Sequence, residues 1–270
     1  MTEREIYPNA PIVLMAVEVR HLPCDPLERK QVNQLSALLR DSWPLPSEIN
    51  EVSVEFQAGP GLSPTHHQTV TTHPRWTTRD RRTALTLRQN GLVIETTQYG
   101  SYERVRALLE QALEARISIA PPAGVDRIGL RYIDEIRVPV ENGNLMPNWT
   151  DWLDPALLGP AHIGLELSLV PAANEGVMVF SSPNNRALVL RYGAQEAYAV
   201  QSTPELRRPL PPPGPLFKID IDSYWQSDDE LPEFATDQIL AKTDELHEPV
   251  RGVFESLISD RLREEVLRHG

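Results

Sequence analysis

The feature that most constrains this fold is a short motif that occurs twice. The order Ala-Leu-x-Leu-Arg begins at Ala84 and begins again at Ala187. A long apolar strand is predicted before each copy, over residues 12–22 and 128–140, and an amphipathic helix is predicted after each copy. A repeat on this scale predicts two similar halves that pack together. The repeat predicts architecture and no chemistry.

Apolar and polar residues alternate over most of the other segments, which predicts strands. Apolar residues recur at helical spacing in residues 101–117 and 233–266, and we expect Pro249 to kink or divide the second helix because it removes a backbone hydrogen bond. The expected fold class is α+β: a mainly antiparallel sheet built from two related halves, with long helices packed on the sheet faces. The expected organisation is a single domain of two pseudo-repeats, about 1–120 and 125–270.

Local sequence signals predict particular hairpins, turns and strands within the two halves. Residues 83–98 and 186–203 should form equivalent hairpins, one in each half. Asn90 and Gly91 predict a type I′ turn in the first hairpin, because that turn needs positive φ at both central residues. A further strand is predicted within residues 163–170.

Charge and hydropathy narrow the classes of partner. The net charge is −12, from 38 acidic and 26 basic residues. Binding to duplex nucleic acid needs cationic groups that displace counterions from phosphates, so this balance argues against it. The first apolar run, residues 11–17, is too short for a signal peptide or a membrane span. We therefore expect a cytoplasmic protein without a membrane partner.

The chain has one cysteine, Cys24, which excludes a disulfide framework and a cysteine-based zinc site. Asp25 and Pro26 follow it, and this pair predicts the beginning of a helix. Cys24 is therefore interpreted as a loop residue at a helix start.

Two aspartates and a histidine are candidate metal ligands. Asp220 and Asp222 share one face of a predicted strand, and carboxylates at this spacing can hold Mg²⁺ or act as an acid and base pair. His73, close in sequence to the histidine pair at 66–67, is the histidine considered with them. The alternative interpretation is an alternating strand with one solvated face, on which the neighbouring lysine neutralises the carboxylates.

Arg131 and Glu135 share one face of another predicted strand. Burying a charge is costly unless it is paired, so Arg131 either pairs with an acid of its own or a neighbouring strand, or binds an anion. For a bound ligand, the predicted contacts are Arg131, Tyr132 and Arg191, because equivalent positions of two halves meet across a pseudo-twofold axis. His247 is interpreted as a core or capping histidine.

Four segments of the chain resemble one family of proteins. They are Tyr-Pro-Asn-Ala-Pro at residues 7–11, Leu-Arg-Tyr-Ile at 130–133, Ile-Asp-Ile-Asp at 219–222, and the terminal helix from Leu-His at 246. Over nearly its whole length the chain is similar to a sporadically distributed bacterial family without an assigned function. Asp134 departs from that family, in which asparagine is expected. The resemblance implies a bacterial protein of patchy distribution, as is common for mobile or defence-linked genes, and it brings no catalytic residue.

Three functions are compatible with these features. The first is a non-enzymatic protein that binds another protein in a bacterial defence, toxin-neutralising or mobile-element system. The second is a binding module for a small anionic ligand, such as a nucleotide, in the cleft between the halves. The third is a metal-dependent hydrolase or nuclease. The familiar hydrolase, nucleotide-phosphate and dinucleotide motifs are absent, and no catalytic residue or cofactor is predicted.

Overall fold

The structure is a computed structural model that describes residues 7–57, 65–140, 147–160, 173–228 and 230–269, with the backbone alone for residues 53–57 and 65–67. In these residues nine strands form one antiparallel sheet. The α+β class and the antiparallel sheet are therefore confirmed. The strands are β1 (Ile12–His21), β2 (Leu45–Gln57), β3 (Thr65–Thr77), β4 (Thr83–Arg88), β5 (Gly91–Thr96), β6 (Val125–Ile136), β7 (Glu175–Ser182), β8 (Arg186–Glu196) and β9 (Pro215–Gln226).

The strand order places β1 and β6 side by side near the centre of the sheet. The order across the sheet is β2-β3-β4-β5-β1-β6-β9-β8-β7. Counting outward from the central pair, β5, β4, β3 and β2 follow β1, while β9, β8 and β7 follow β6. Both copies of the sequence motif lie in strands, β4 and β8, that occupy the third position counted from the centre.

Three helices cover one face of this sheet. They are α1 (Arg29–Leu38), α2 (Tyr102–Ile119) and α3 (Thr236–Leu257). The Trp76 indole on β3 donates to Ser36 of α1, and Tyr132 on β6 contacts His247 of α3. Period-two alternation explains the core, since Met15, Val17 and the other residues of that strand face are buried beneath the helices.

The opposite face of the sheet, here called the open face, carries no helix among the described residues. Helices were expected on the sheet faces, whereas all three lie on one face. Residues 197–214 cross one end of the open face instead. Arg207 N donates to the Arg81 carbonyl at 2.7 Å, and Thr97 Oγ1 donates to the Arg207 carbonyl at 2.5 Å. The connection between β8 and β9 therefore reaches the first half of the chain.

The expected equivalence of segments 83–98 and 186–203 as hairpins is wrong. The first segment is the hairpin β4–β5, but the second is β8 followed by the crossing connection. The chain turns out of β8 at Ala197, whose φ is +69°, and Ala199 N donates to the Glu135 carboxylate at 2.9 Å rather than to a strand. The predicted strand beyond residue 196 is absent, and the backbone there turns away from the sheet.

The turn of the β4–β5 hairpin differs from the expected one. Arg88 pairs with Gly91, so the β4–β5 connection is Gln89-Asn90, and neither Asn90 nor Gly91 is among the described residues with positive φ. The type I′ prediction is wrong, although the hairpin is present. Gly91 is required by close approach, because a Cβ there would lie 2.9 Å from the Val19 carbonyl oxygen of β1.

Positive φ occurs instead between β7 and β8. Asn184 and Asn185 have φ of 61° and 58°, and they connect a hairpin in which Ser182 pairs with Arg186. Asparagine tolerates this conformation because its side chain can hydrogen-bond the local backbone. Sequence analysis did not identify this turn.

Helix boundaries also differ from expectation. Helix α1 begins at Arg29 with Glu28 as its N-cap, so Asp25 and Pro26 do not begin it. Helix α3 continues past Pro249 to Leu257 and ends where Ile258 takes an extended conformation. Short helical turns lie at Trp149–Asp151, Pro155–Leu157, Asp260–Leu262 and Arg263–Leu267.

The strand predicted within residues 163–170 lies outside the described residues. Of the helices in the described part of the chain, none has the length and apolar character needed to cross a membrane.

Candidate binding cavity

A cavity of about 590 Å³ lies between the sheet and the helices that cover it. Its walls come from the N-terminal end of α2, the C-terminal half of α3, the central strand β6 and the segment that leads into β1. It therefore joins residues far apart in the chain. Its main side chains are Tyr7, Tyr99, Tyr102, Glu103, Tyr132, Asp134, His247, Glu248, Arg251, Phe254 and Glu255.

Aromatic rings form one wall of the cavity. The ring of Tyr102 stacks on His247 with centroids 3.8 Å apart and an angle of 11° between the planes. The Tyr132 hydroxyl lies 3.0 Å from His247 Nδ1, and Tyr99 meets the Tyr132 ring edge-on at 5.7 Å. Ser101 caps α2 and thereby fixes the start of the helix that carries Tyr102.

A polar contact outside the cavity holds this wall in place. The Tyr102 hydroxyl donates to Asp244 Oδ1 at 2.7 Å, and Arg106 Nε donates to the same oxygen at 2.9 Å. Burial, and then the hydrogen bond to Asp244, raise the pKa of Tyr102. The phenol therefore stays protonated and keeps donating, which ties α2 to α3 beside the cavity.

Asp134 is the group with the most unusual environment. It follows Tyr132 on the helix-covered face of β6, lines the cavity and is only 3 % exposed. Among the described residues its carboxyl group has no hydrogen-bond partner and no ion pair. Burial, and secondarily the negative charge of Asp220, raise the pKa of Asp134 to about 8. At neutral pH the carboxyl group is therefore mostly protonated.

The cavity lining carries more acidic than basic groups. Glu103, Glu248 and Glu255 line it together with Asp134, whereas Arg251 is the one lysine or arginine among its lining residues. Glu255 accepts from the Tyr7 hydroxyl at 3.0 Å and is paired with Arg263, outside the lining, at 3.0 Å and with Arg251 at 3.7 Å. The combination of aromatic faces and carboxyl groups favours a ligand with positive charge.

Of the predicted ligand contacts, Tyr132 lines this cavity, whereas Arg131 and Arg191 lie on the open face. Arg131 makes two hydrogen bonds to Asp220, at 2.8 and 2.7 Å, which confirms the expected pairing with an acid of a neighbouring strand. Arg191 lies opposite Asp220 in the register of β8 and β9. The three residues predicted as one site are thus divided between the two faces.

The predicted metal ligands are also separated. Asp220 is paired with Arg131 and Lys218, and Asp222 contacts Arg127 at 3.3 Å. His73 lies on β3, with four strands between it and β9, and contacts Glu51 at 3.2 Å. No group of three histidine, cysteine or acidic residues with metal-binding geometry occurs in the part of the chain that the structure describes.

Sequence reasoning did not identify Asp134, Tyr99, Tyr102 and His247 as site residues. One signal was available, since Asp134 is an acidic residue on the apolar face of β6, where Leu130, Tyr132 and Ile136 are its neighbours. Charged residues on a core face are uncommon unless they are paired or functional. The tyrosines gave no comparable signal, because they look like ordinary core residues.

The chain matches no protein-family model, no curated protein and no solved structure. Its candidate function therefore has to be inferred from the chemistry of the cavity.

Proposed function

We propose that this protein binds a small organic cation, such as a protonated amine, in the cavity beside Asp134. The observation that carries the proposal is the buried Asp134 carboxyl group without a hydrogen-bond partner among the described residues. Its oxygen atoms are not among the fully buried side-chain atoms that lack a partner, so they keep accessible surface toward the cavity that Asp134 lines. An ammonium donor in the cavity would give the carboxyl group a hydrogen-bond partner and, once the group has lost its proton, a counter-charge.

The rest of the lining supports the same ligand class. Cations are attracted to the faces of tyrosine rings, by about 2 kcal/mol where the site is desolvated. Tyr99, Tyr102 and Tyr132 line the same cavity as the carboxyl group. The cavity volume of about 590 Å³ is in the range of small-molecule sites.

Binding of a cation should release a proton. A positive charge beside Asp134 favours its ionised form, and the folded pKa of about 8 means that the carboxyl group holds a proton at pH 7 before the ligand arrives. Each bound cation therefore displaces up to one proton, while a neutral ligand displaces none.

The proposal is tested by calorimetric titration of the full chain with choline, putrescine and agmatine, at pH 7 in phosphate and in MOPS, two buffers that differ in heat of ionisation and carry no net positive charge. The neutral isostere of choline, 3,3-dimethyl-1-butanol, is the matched control ligand. We expect at least one amine to bind, with proton release shown by different heats in the two buffers. Equal binding of choline and its isostere, or no binding of any amine, would overturn the proposal.

Asp134→Asn is the matched protein variant, since it keeps the side-chain shape and removes the ionisable group. We expect it to bind the amine at least tenfold more weakly, which corresponds to about 1.4 kcal/mol. Asp237→Asn, which removes an exposed carboxylate from the first turn of α3, should bind like the unmodified protein. Unchanged affinity in Asp134→Asn would contradict the role of Asp134.

We also propose that the sheet consists of two related halves, as the repeated motif predicts. Support comes from the shared position of β4 and β8, and from α2 and α3, which follow β5 and β9 and cover the same face. On this view the cavity lies between the final helices of the two halves. Its two aromatic partners, Tyr102 and His247, come from those two helices.

A protein partner is a second candidate function, because β7 has a row of exposed apolar residues. Val177, Met178, Val179 and Phe180 are each at least half exposed, on the last strand of the described sheet. Exposed apolar strands at a sheet edge commonly pair with another chain. A stoichiometric partner that co-purifies with the unmodified protein, but not with Val179→Lys, would support this candidate. A partner that co-purifies equally with the unmodified protein and with the variant would exclude β7 as its binding site.

The cytoplasmic location and the association with a bacterial defence system stay predictions. An anion held by Arg131 and Arg191 is less well supported than a cation in the cavity, because Arg131 is already paired with Asp220.

A further inference from the structure

Arg116, far from the cavity, is a buried arginine without a carboxylate partner. It lies in α2 and is 2 % exposed. Within the described residues no acidic side chain pairs with it, and its Nη1 atom is buried without any hydrogen-bond partner. Its Nη2 atom donates to Cys24 Sγ at 3.1 Å. A buried guanidinium normally requires an anion, and here the neighbouring group that can carry negative charge is a sulfur.

The surroundings of the sulfur leave it accessible and leave the arginine charge uncompensated. Cys24 is partly exposed, and its thiol donates to the Gln89 carbonyl oxygen at 3.2 Å. His21 is buried nearby, with Nδ1 2.7 Å from the Leu22 carbonyl and Nε2 without a partner. Burial lowers the pKa of His21, and the charge of Arg116 adds to this. The imidazole therefore stays neutral and offers Arg116 no counter-charge.

We propose that Cys24 is a modification site, activated by Arg116 for oxidation by hydroperoxides. The guanidinium donates to the sulfur at 3.1 Å, where its charge can stabilise the negative charge that leaves with the second peroxide oxygen. Nη1 belongs to the same guanidinium and has no partner among the described residues, so it can donate to the oxygen atom that oxidation adds. Arg116 can play both roles because it is a buried cation and one of its hydrogen-bond donors has no partner.

The reaction balances with a hydroperoxide as the oxidant. Cys24 Sγ attacks one peroxide oxygen, an S–O bond forms and the O–O bond breaks. The sulfur loses two electrons to the peroxide, whose second oxygen leaves with the thiol proton, as water when the oxidant is hydrogen peroxide. The product is a sulfenic acid. The chain holds no second cysteine, so the sulfenic acid is not converted into an intramolecular disulfide.

The test is mass spectrometry of the full chain after exposure to hydrogen peroxide in the presence of dimedone, which captures sulfenic acids. We expect one dimedone adduct, at Cys24, and no adduct in Cys24→Ser. Arg116→Met should slow adduct formation at least tenfold, whereas Arg104→Met, at an exposed position of the same helix, should leave the rate unchanged. An equal rate in Arg116→Met and the unmodified protein would overturn the proposal.

If Arg116→Met fails to fold, a second measurement tests whether the folded protein activates Cys24. The rate in the unmodified protein is compared with that of a synthetic peptide of residues 20–28, which contains Cys24 without Arg116. We expect the protein to react at least tenfold faster. A protein rate equal to or below the peptide rate would overturn the proposal, because burial without activation slows a thiol.

Discussion

Two buried aspartates on adjacent strands have opposite environments. Asp220 of β9 is completely buried on the open face, where Arg131 donates two hydrogen bonds to it and Lys218 lies 3.9 Å away. Asp134 of β6 is 3 % exposed on the helix-covered face, where no described residue donates to it. Burial is nearly the same for the two carboxyl groups. What distinguishes them is the supply of partners: Asp220 belongs to a network of paired charges, whereas Asp134 has no partner among the described residues.

The contrast extends to the two faces. Charges on the open face form a chain of pairs, in which Glu18 accepts from Arg127 at 2.9 Å and Arg127 in turn contacts Asp222 at 3.3 Å. The cavity side has aromatic rings and acidic groups but few cations. A network in which the charges are paired, as on the open face, fixes the register of the strands. A network with unpaired polar groups, as in the cavity, is what a binding site requires.

The largest effect should come from removing the partner of Asp220. Arg131→Met leaves a fully buried carboxylate without its two hydrogen bonds, with Lys218 3.9 Å away and Arg191 opposite it on β8, and a buried charge that loses its partner is strongly destabilising. We expect the free energy of unfolding, measured by urea denaturation, to fall by about 3 kcal/mol. Arg131→Lys should recover part of the loss, because it restores charge but not the two-pronged geometry. A loss below about 1 kcal/mol would show that the other neighbouring cations, Lys218 and Arg191, satisfy Asp220 without Arg131.

Asp134 should instead make stability depend on pH. Its folded pKa is about 8, whereas an unfolded aspartate titrates near 3.9. Between these values the folded protein holds a proton that the unfolded chain has released, so the contribution of Asp134 to stability falls as pH rises. The slope is at most about 1.4 kcal/mol per pH unit, and the fall ends above pH 8.

Asp134→Asn removes this titration, so its advantage over the unmodified protein should grow from pH 5 to pH 8 and then level off. Urea denaturation of both proteins at intervals of one pH unit measures the difference. Asp237→Asn controls for the loss of one negative charge. Parallel stability curves for Asp134→Asn and the unmodified protein would show that Asp134 is ionised throughout.

The faces of the strands could be predicted from the sequence, but the partners could not. Alternation in β6 and β9 correctly placed Asp220 and Asp222 together on one face and Tyr132 and Asp134 on another. Whether a buried acid finds a cation depends on which strand or helix arrives next to it. Arg131 reaches Asp220 from the adjacent strand, but the residues that surround Asp134 come from α2 and α3, whose approach no local pattern specifies.

The turns show the same limit of local signals. Asn90-Gly91 predicted a hairpin at the correct place but gave the wrong turn type, because Gly91 is needed for contact with β1. Asn184 and Asn185 form the turn with positive φ between β7 and β8. At position 91 the close approach of β1, and not the conformation of the turn, is the reason for glycine.

A smaller effect is expected from the hydroxyl group of Tyr132. Tyr132→Phe removes the contact with His247 Nδ1 but keeps the ring in the cavity wall. The free energy of unfolding should fall by about 1 kcal/mol, the usual contribution of one hydrogen bond. Amine affinity in the same calorimetric titration should change less than threefold, because the aromatic face remains. A tenfold loss would mean that the hydroxyl group itself contacts the ligand.

The smallest loss of stability should come from Arg20→Met. Comparing it with Arg131→Met isolates the cause of the largest loss. Arg20 and Arg131 lie on the same face and have almost equal side-chain exposure, 47 % and 46 %. Their partners differ: Glu18 is 19 % exposed and keeps contacts with Arg88 and Arg127, whereas Asp220 is 1 % exposed. We expect Arg20→Met to lower the free energy of unfolding by less than about 1 kcal/mol, as for other surface pairs. Equal losses in Arg20→Met and Arg131→Met would show that the exposure of the arginine, and not the burial of its acid, controls the stability of the open face.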